Sequence, residues 1–321
     1  MKYALSQQSV SGSRPENQDR IACLERPGSL LMAVADGLGG YAGGAMAAAT
    51  LVETVTRSFQ KLRQPILVKP SEFLTLTILH AHRLINARAK STAASDAAYD
   101  PRTTCVICLI QNGYAYWAHV GDSRLYHFRG GRLRSRTLDH TTTEMLRQDG
   151  VLSEENSKRG RLKSHLLRCV GGPQRPEVTL GEEMRLMPGD VLMLCSDGVW
   201  EAHDPDAIGR YLSNKDLEQA TDELLLDAEA KMGDICDNLS VIAFRWMDKV
   251  TTYTPLQAGG TGNVDQGALW RAHKRELKAH QARAGGRDVR MAKRGVRDVD
   301  AIQSAIDEIE EYIKGLEDSK D

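Results

Sequence analysis

Apolar positions in this chain follow two rhythms: short, nearly unbroken runs, and longer stretches with apolar residues three and four apart. Leu30–Ala35, Thr104–Ile110, Tyr114–Val120, Val191–Cys195 and Leu239–Phe244 are of the first kind. Runs of that length bounded by turn residues predict buried strands. Arg20–Leu24, Arg124–Phe128 and Val178–Met184 complete the predicted set. Asn112-Gly113 and Gly130-Gly131 supply hairpin turns beside such runs. The second rhythm predicts helices. Ala45–Leu62 has few helix breakers, and Ser71–Lys90 carries Leu74, Ile78, His82 and Ile85 on one face, with Ser71-Glu72 after Pro70 as its start signal. A third helix is predicted around Lys215–Lys231. Thr141–Arg168 is charged and short of apolar residues, which predicts a surface excursion with one or two short helices. Hairpin strands interrupted by long helices predict an α+β fold with antiparallel sheets, not a βαβ repeat.

The pattern changes after Trp246. Residues 1–248 read as one globular unit and 249–268 as a Gly- and Thr-rich linker. Residues 269–321 form a tail that is first basic and then acidic. Residues 270–297 contain ten Lys/Arg and two Asp/Glu, whereas 298–321 contain nine Asp/Glu and two Lys. Val299, Ile302, Ile306, Ile309, Ile313 and Leu316 alternate three and four apart, a short a/d seam. That seam predicts a helix packed on its own domain or on the basic segment, with self-association or partner docking as the alternatives. The basic stretch could touch nucleic acid, but its acidic neighbour is a ready counter-charge.

Composition narrows the class. The chain has 321 residues, 41% apolar and 26% charged, room for one large domain or two smaller ones. A net charge of −1 argues against a nucleic-acid binder along the whole chain. MKYALSQQSV lacks the pattern of a signal peptide, and no apolar run approaches the roughly 18–20 residues of a membrane span. Six cysteines lie mostly in apolar stretches, as small core residues do. Cys105 and Cys108 have C-x-x-C spacing, but three apart on a strand they face opposite ways, which favours the core over a metal or redox pair. A cytoplasmic location fits these thiols.

Four aspartates stand beside small, turn-forming residues near apolar runs: Asp36 in VADGLGG, Asp122 in HVGDSR, Asp197 in LCSDGVW and Asp237 in ICDNLS. Each is expected to emerge at a strand end. Gathered bare, such carboxylates repel; with hard divalent cations such as Mg²⁺ or Mn²⁺ between them they form a ligand set, which points to metal-dependent chemistry on phosphate. Gly37 allows a sharp turn after Asp36 and can offer its carbonyl. The glycines that follow are not a P-loop, because no Gly-Lys-Ser/Thr succeeds them. Arg14, five residues before Asp19, can grip two phosphate oxygens in a fork; alone it would read as a surface charge.

The ordered series SRPENQD, VADGLGG, RTTCV, HVGDSRLY, LDHT, LLRCVGG, LMLCSDGVWE and CDNLSVI, over roughly residues 5–245, resembles the protein phosphatase 2C family in its compact bacterial form. These are metal-dependent serine/threonine protein phosphatases. The resemblance implies a four-layer αββα sandwich with two central antiparallel sheets, here with a C-terminal helical extension. It implies that Asp36 bridges two Mn²⁺ or Mg²⁺ ions, that Gly37 gives a carbonyl to one, and that Asp197 and Asp237 ligate the second. Asp122 matches a residue that holds a weaker third ion, Asp19 orders metal-bound waters, and Arg14 binds the substrate phosphate. The implied reaction is direct attack on phosphorus by a water shared between the ions. The implied partners are phosphorylated proteins, products of a serine/threonine kinase in a bacterial cytoplasm, and Thr141–Arg168 corresponds to a mobile flap. Two positions depart from the pattern. Leu38 stands where many eukaryotic relatives have a histidine that protonates the leaving group; His140 is a candidate replacement, or else a structural loop histidine. Gln18 stands where a glutamate often precedes the match to Asp19.

Rival readings are a catalytically silent phosphatase-like binding module, an aspartyl-nucleophile phosphatase and a nuclease. The first would be favoured by loss of Asp36, Asp197 or Asp237, and all three are present. The second wants Asp-x-Asp, which Asp36-Gly37-Leu38 lacks. The third wants basic residues beside the acidic cluster.

Overall fold

The computed structural model describes residues 1–38, 43–92, 99–150, 165–213 and 216–248. The chain divides into two units, Met1–Leu256 and Gln257–Asp321, and every described residue lies in the first. The expected linker and tail helix therefore lie outside the described residues, as does the middle half of the expected flap, residues 151–164.

The elements in chain order are β1 (Tyr3–Val10), β2 (Arg20–Arg26), β3 (Ser29–Ala35), α1 (Gly44–Lys61), α2 (Pro70–Thr92), β4 (Arg102–Thr103), β5 (Cys105–Gln111) and β6 (Tyr114–Val120). Then come β7 (Arg124–Arg129), β8 (Arg132–Arg136), α3 (Thr142–Gln148), β9 (Val170–Gly171), β10 (Thr179–Leu180), β11 (Met184–Arg185) and β12 (Val191–Cys195). The last are α4 (Asp197–Ala202), α5 (Pro205–Ser213), α6 (Leu217–Met232) and β13 (Leu239–Trp246). Among the described residues one sheet runs β1-β13-β12-β7-β8 and a second runs β10-β6-β5-β3-β2, with β11 also on β6. Every pairing is antiparallel.

Two layers of apolar packing explain why the central strands read as unbroken runs. Leu30, Met32 and Val34 of β3, Val106, Cys108 and Ile110 of β5, Leu192 and Leu194 of β12, and Ile242 and Phe244 of β13 fill the space between the sheets. Alternate residues point the other way. On the first sheet these are Tyr126, Phe128, Met193, Cys195, Val241 and Ala243, which pack with Ile208 and Leu212 of α5 and Leu224 and Ala228 of α6. On the second sheet α1 lies against β2 and β3, and α2 against β5 and β6. With both faces covered, all seven residues of β3 are buried and no polar alternation survives. The result is the αββα sandwich that the family resemblance implies.

Both hairpin turns hold. Asn112 and Gly113 (φ 52° and 76°) join β5 to β6, and Gly130 and Gly131 (57° and 72°) join β7 to β8, the left-handed pair that a two-residue turn requires. Pro70 is already helical, its fixed φ and missing N–H suiting the first turn. The single strand expected over Val178–Met184 is two short pieces, β10 and β11. Gly181 between them lies flat on the Trp117 indole, where a Cβ would overlap the ring. The sequence reading missed β1, β4, β8, β9, α4 and α5: β1 and β8 carry polar or charged residues at edges, β4 and β9 are two residues each, and the two helices are short.

Candidate active site

Strand polarity gathers the aspartates. β3 and β6 are each antiparallel to the β5 between them, so both end on the same side of their sheet. Asp36 follows β3 directly, and Asp122 follows β6 after Gly121. In the other sheet β12 ends where β13 begins, with Cys195 opposite Val241. Asp197 therefore leaves β12 beside Asp237, which enters β13. This corrects one expectation: Asp237 marks a strand start, and only the antiparallel pairing brings it level with the strand ends. Asp19 precedes β2, whose Arg20 pairs with Ala35 at the end of β3. Arg14 sits in the β1–β2 loop.

The backbone around Asp36 is held by β4. The Asp36 carbonyl accepts from Thr104 N (2.8 Å) and Thr103 Oγ1 (2.8 Å), and the Asp36 N–H donates to Thr104 Oγ1 (3.1 Å). Thr104 Oγ1 also shares a 2.6 Å hydrogen bond with Ser123 Oγ, tying the Asp36 turn to the Asp122 loop. Gly37 is required here by space: a Cβ would come 2.5 Å from the Gly44 carbonyl and 2.8 Å from Gln18 O. Trp200 Nε1 donates to the Asp122 carbonyl (2.9 Å), and its ring lies 3.6 Å under the Arg124 guanidinium, which forks onto Asp139 at 2.8 and 2.6 Å. Asn238 pins the β1–β2 loop, accepting from Gln18 N (2.8 Å) and donating to Ser11 O (2.9 Å) and Glu16 O (3.1 Å). Thr103, Thr104, Ser123, Trp200 and Asn238 were not singled out in the sequence. Each stands within one of the quoted motifs, RTTCV, HVGDSR, LCSDGVW or ICDNLS, which was the available signal.

The electrostatics are those of crowded anions. Burial, then Asp197, Asp19 and Asp122, hold the Asp36 carboxyl well above the ordinary carboxylate range, and it donates a hydrogen bond to Asp197. Burial and then Asp197 and Asp139 push Asp122 up to about 8. Asp19 is pushed up to about 6, chiefly by burial; Ser196 Oγ donates to its Oδ2 at 2.7 Å, while its buried Oδ1 has no partner. Burial, then Asp237, also raises Asp197. Arg14 forks onto Asp237, Nε to Oδ1 at 3.0 Å and Nη2 to Oδ2 at 2.6 Å, and it also feels the charges of Asp197 and Asp36. Asp36, Asp197, Asp122, Asp19, Asp237 and Arg14 thus form one electrostatic unit.

Among the described residues no three such side chains close around one point as a finished cage, since Asp237 turns to Arg14 and Asp36 to Asp197. The donor set nevertheless suits hard divalent cations. It is all oxygen, its members raise one another's proton affinity, and the Asp19 Oδ1 orphan lacks a partner. His140 is not the missing acid. Its Nδ1 accepts from Gly121 N (3.1 Å), which leaves Nε2 to donate to Thr179 Oγ1 (2.9 Å). Burial, then His119 and Arg168, push it down to about 3, so the ring stays neutral. Gln18 Oε1 is buried without a partner.

The sandwich fold and the all-oxygen acidic cluster fit a metal-dependent hydrolase of phosphoric monoesters. Residues 8–232 match the sequence model of the family described as Protein phosphatase 2C. The serine/threonine phosphatase stp of Listeria monocytogenes is 27% identical over 232 residues, 71% of this chain and 90% of the relative. The solved Streptococcus agalactiae serine/threonine phosphatase superposes with a TM-score of 0.69 at 26% identity, over 77% of this chain and 100% of that one. The catalytic domain of the serine/threonine protein phosphatase PstP, solved with 2 manganese ions, shares the fold with a TM-score of 0.62 at 23% identity, over 77% and 98%. The chain belongs to the protein phosphatase 2C family. It is a metal-dependent protein serine/threonine phosphatase.

Proposed function

We propose that Asp36, the Gly37 carbonyl, Asp197 and Asp237 hold two Mn²⁺ or Mg²⁺ ions, with Asp122 contributing to a weaker third, and that Arg14 and Asp19 complete the catalytic set. The observation that carries this reading is the mutual elevation of Asp36, Asp197, Asp122 and Asp19 in one half-buried cluster. Bound cations supply a nucleophilic water at neutral pH and a counter-charge for the phosphoryl oxygens. Asp36 and Asp197, which share a hydrogen bond here, would both serve as carboxylate ligands once ionised. In holding a cation Asp237 would give up Arg14, whose guanidinium, 56% exposed, would then fork onto the substrate phosphate. Asp19, held by Ser196, presents its second oxygen to an ordered water.

A thiol nucleophile is argued against by the surroundings of all six cysteines. Burial raises Cys23, Cys105, Cys108, Cys169, Cys195 and Cys236. The substrates are phosphorylated proteins, the products of a serine/threonine kinase, and the unpaired thiols suit a cytoplasmic setting. No described helix is long and apolar enough to cross a membrane.

The test is phosphate release from a phosphothreonine peptide and from p-nitrophenyl phosphate. Both should require Mn²⁺ or Mg²⁺, cease with EDTA, and be lost in Asp36→Asn and Asp197→Asn variants that keep the folded circular-dichroism spectrum. Turnover indifferent to chelator defeats the reading. Metal binding without turnover would favour the silent module instead.

A further inference from the structure

One ladder away from the acidic cluster lies a cavity of opposite character. Its volume is about 260 Å³, far above the roughly 15 Å³ that admits one water. Arg102, Arg168 and Arg175 line it, against one lining carboxylate, Glu177. The arginines are differently tethered. Arg102 is oriented from two sides: Asp100 Oδ2 accepts from its Nε (2.9 Å) and Nη2 (2.6 Å), and Gly172, at φ 69°, packs where a Cβ would stand 3.0 Å from Nε. Arg168 pairs with Glu177 at 2.5 Å, with the two side chains 41% and 70% exposed. An ion pair that open contributes about 0–1 kcal/mol, so a stronger anion displaces Glu177 readily. The positive field reaches the neighbouring rings: after burial, Arg168 is among the groups that depress His119 and His140, and Arg175 among those that depress His82.

The backbone ladder sets the scale of the separation between the Asp36 turn and Gly171, which lines this cavity. Gly37 bridges to Thr103, Leu38 N donates to Arg102 O (3.1 Å), and Arg102 pairs with Gly171 of β9. Two ladder steps of about 4.8 Å separate the Gly37 backbone from that of Gly171, about 10 Å in all. An extended peptide rises about 3.3 Å per residue, so the same distance spans about three residues of substrate.

We infer that the Arg102–Arg168–Arg175 cavity is a substrate subsite that takes a second anionic group, a phosphoryl or a carboxylate, carried by the phosphoprotein about three residues from the phosphoserine or phosphothreonine being hydrolysed. The Glu177 carboxylate occupies Arg168 in its place until substrate binds. This rests on the proposed catalytic site, and it makes the preferred substrates acidic or multiply phosphorylated segments.

The experiment uses the full-length chain with saturating Mn²⁺. Phosphothreonine peptides carry phosphoserine, glutamate or glutamine three residues before or three residues after the phosphothreonine; p-nitrophenyl phosphate serves as a substrate too small to reach the cavity. For one of the two placements the anionic peptides should exceed the glutamine peptide about tenfold in kcat/KM, mainly through KM. The advantage should shrink as salt is raised. Arg168→Gln and Arg175→Gln, both at exposed positions, should each erase most of that advantage while p-nitrophenyl phosphate turnover stays within about twofold. Equal kcat/KM for anionic and neutral peptides at both placements overturns the subsite and leaves the catalytic reading standing, as does a preference that survives both substitutions. No metal-dependent p-nitrophenyl phosphate turnover in the unsubstituted enzyme overturns both.

Discussion

Thr104 Oγ1 is the acceptor for the Asp36 N–H and the partner of Ser123 Oγ, so one hydroxyl sets the positions of two acidic turns from different parts of the chain. Valine has nearly the same shape but no acceptor, and it leaves a half-buried N–H unsatisfied at about 1–3 kcal/mol. Supporting groups of this kind change metal affinity by roughly 10–100-fold when lost. Thr104→Val should therefore weaken Mn²⁺ binding at least about tenfold by calorimetric titration, whereas Thr104→Ser keeps the hydroxyl and should bind nearly as well as the parent. Equal affinities for the valine and serine variants would show that the hydroxyl serves packing alone. Gly37 is constrained by space in a different way: Gly44 and Gln18 fill the volume where its Cβ would be.

At the level of the elements, the loop from β8 to α3 turns on His140. Its ring holds Gly121 at the end of β6 and Thr179 of β10, and its carbonyl accepts from Leu167 N (2.8 Å). The ring is neutral in the fold, pushed down to about 3 from an ordinary 6.5, chiefly by burial. Below 6.5 the unfolded chain binds the extra proton, so this contribution is complete above that value and drains as pH falls toward 3, at up to about 1.4 kcal/mol per unit. His80 and His82, each pushed down to about 4 by burial, add slopes of the same sign. His140→Asn can keep the acceptor for Gly121 and should be less stable at pH 7 yet lose less on acidification. Urea unfolding at pH 7 and pH 5, both with saturating Mn²⁺, reads this directly, and parallel losses in the two proteins would rule it out. The same scale explains what could be read in advance. β3, β5 and β12 are buried throughout because both faces are covered, β6 and β13 are nearly unbroken apolar runs, and all were legible. β1 pairs only with β13, and β8 is a charged edge strand, so neither left a clear pattern. The aspartates were legible as turn residues beside strands. The Arg14–Asp237 fork was not, because it depends on how distant loops meet. Nor was the role of Asn238, whose three loop contacts exist only once β13 lies beside the β1–β2 loop.

At the largest scale, the first of the described strands closes on the last of them. β1 pairs with β13 along its full length, from Tyr3 opposite Trp246 to Val10 opposite Leu239. Beyond β13, Met247 N donates to Lys2 O (3.0 Å) and Lys2 N to Asp248 Oδ2 (2.8 Å). β13 also completes the site, since Asp237 and Asn238 enter it and its inward residues Ile242 and Phe244 fill the space between the sheets. Among the described residues β1 therefore has no strand partner until the chain has been made as far as residue 246, a long loop closure. Truncation after Leu256, the boundary between the two units, should leave the melting temperature nearly unchanged and p-nitrophenyl phosphate turnover within about twofold. Truncation after Ser240 removes most of β13 and should abolish cooperative unfolding. If the Leu256 truncation changes oligomeric state by light scattering, or alters preference among protein substrates while sparing the small one, the a/d seam of the tail acts in association or docking. If neither changes, the seam packs locally, and selectivity rests with the catalytic unit and its arginine-lined cavity.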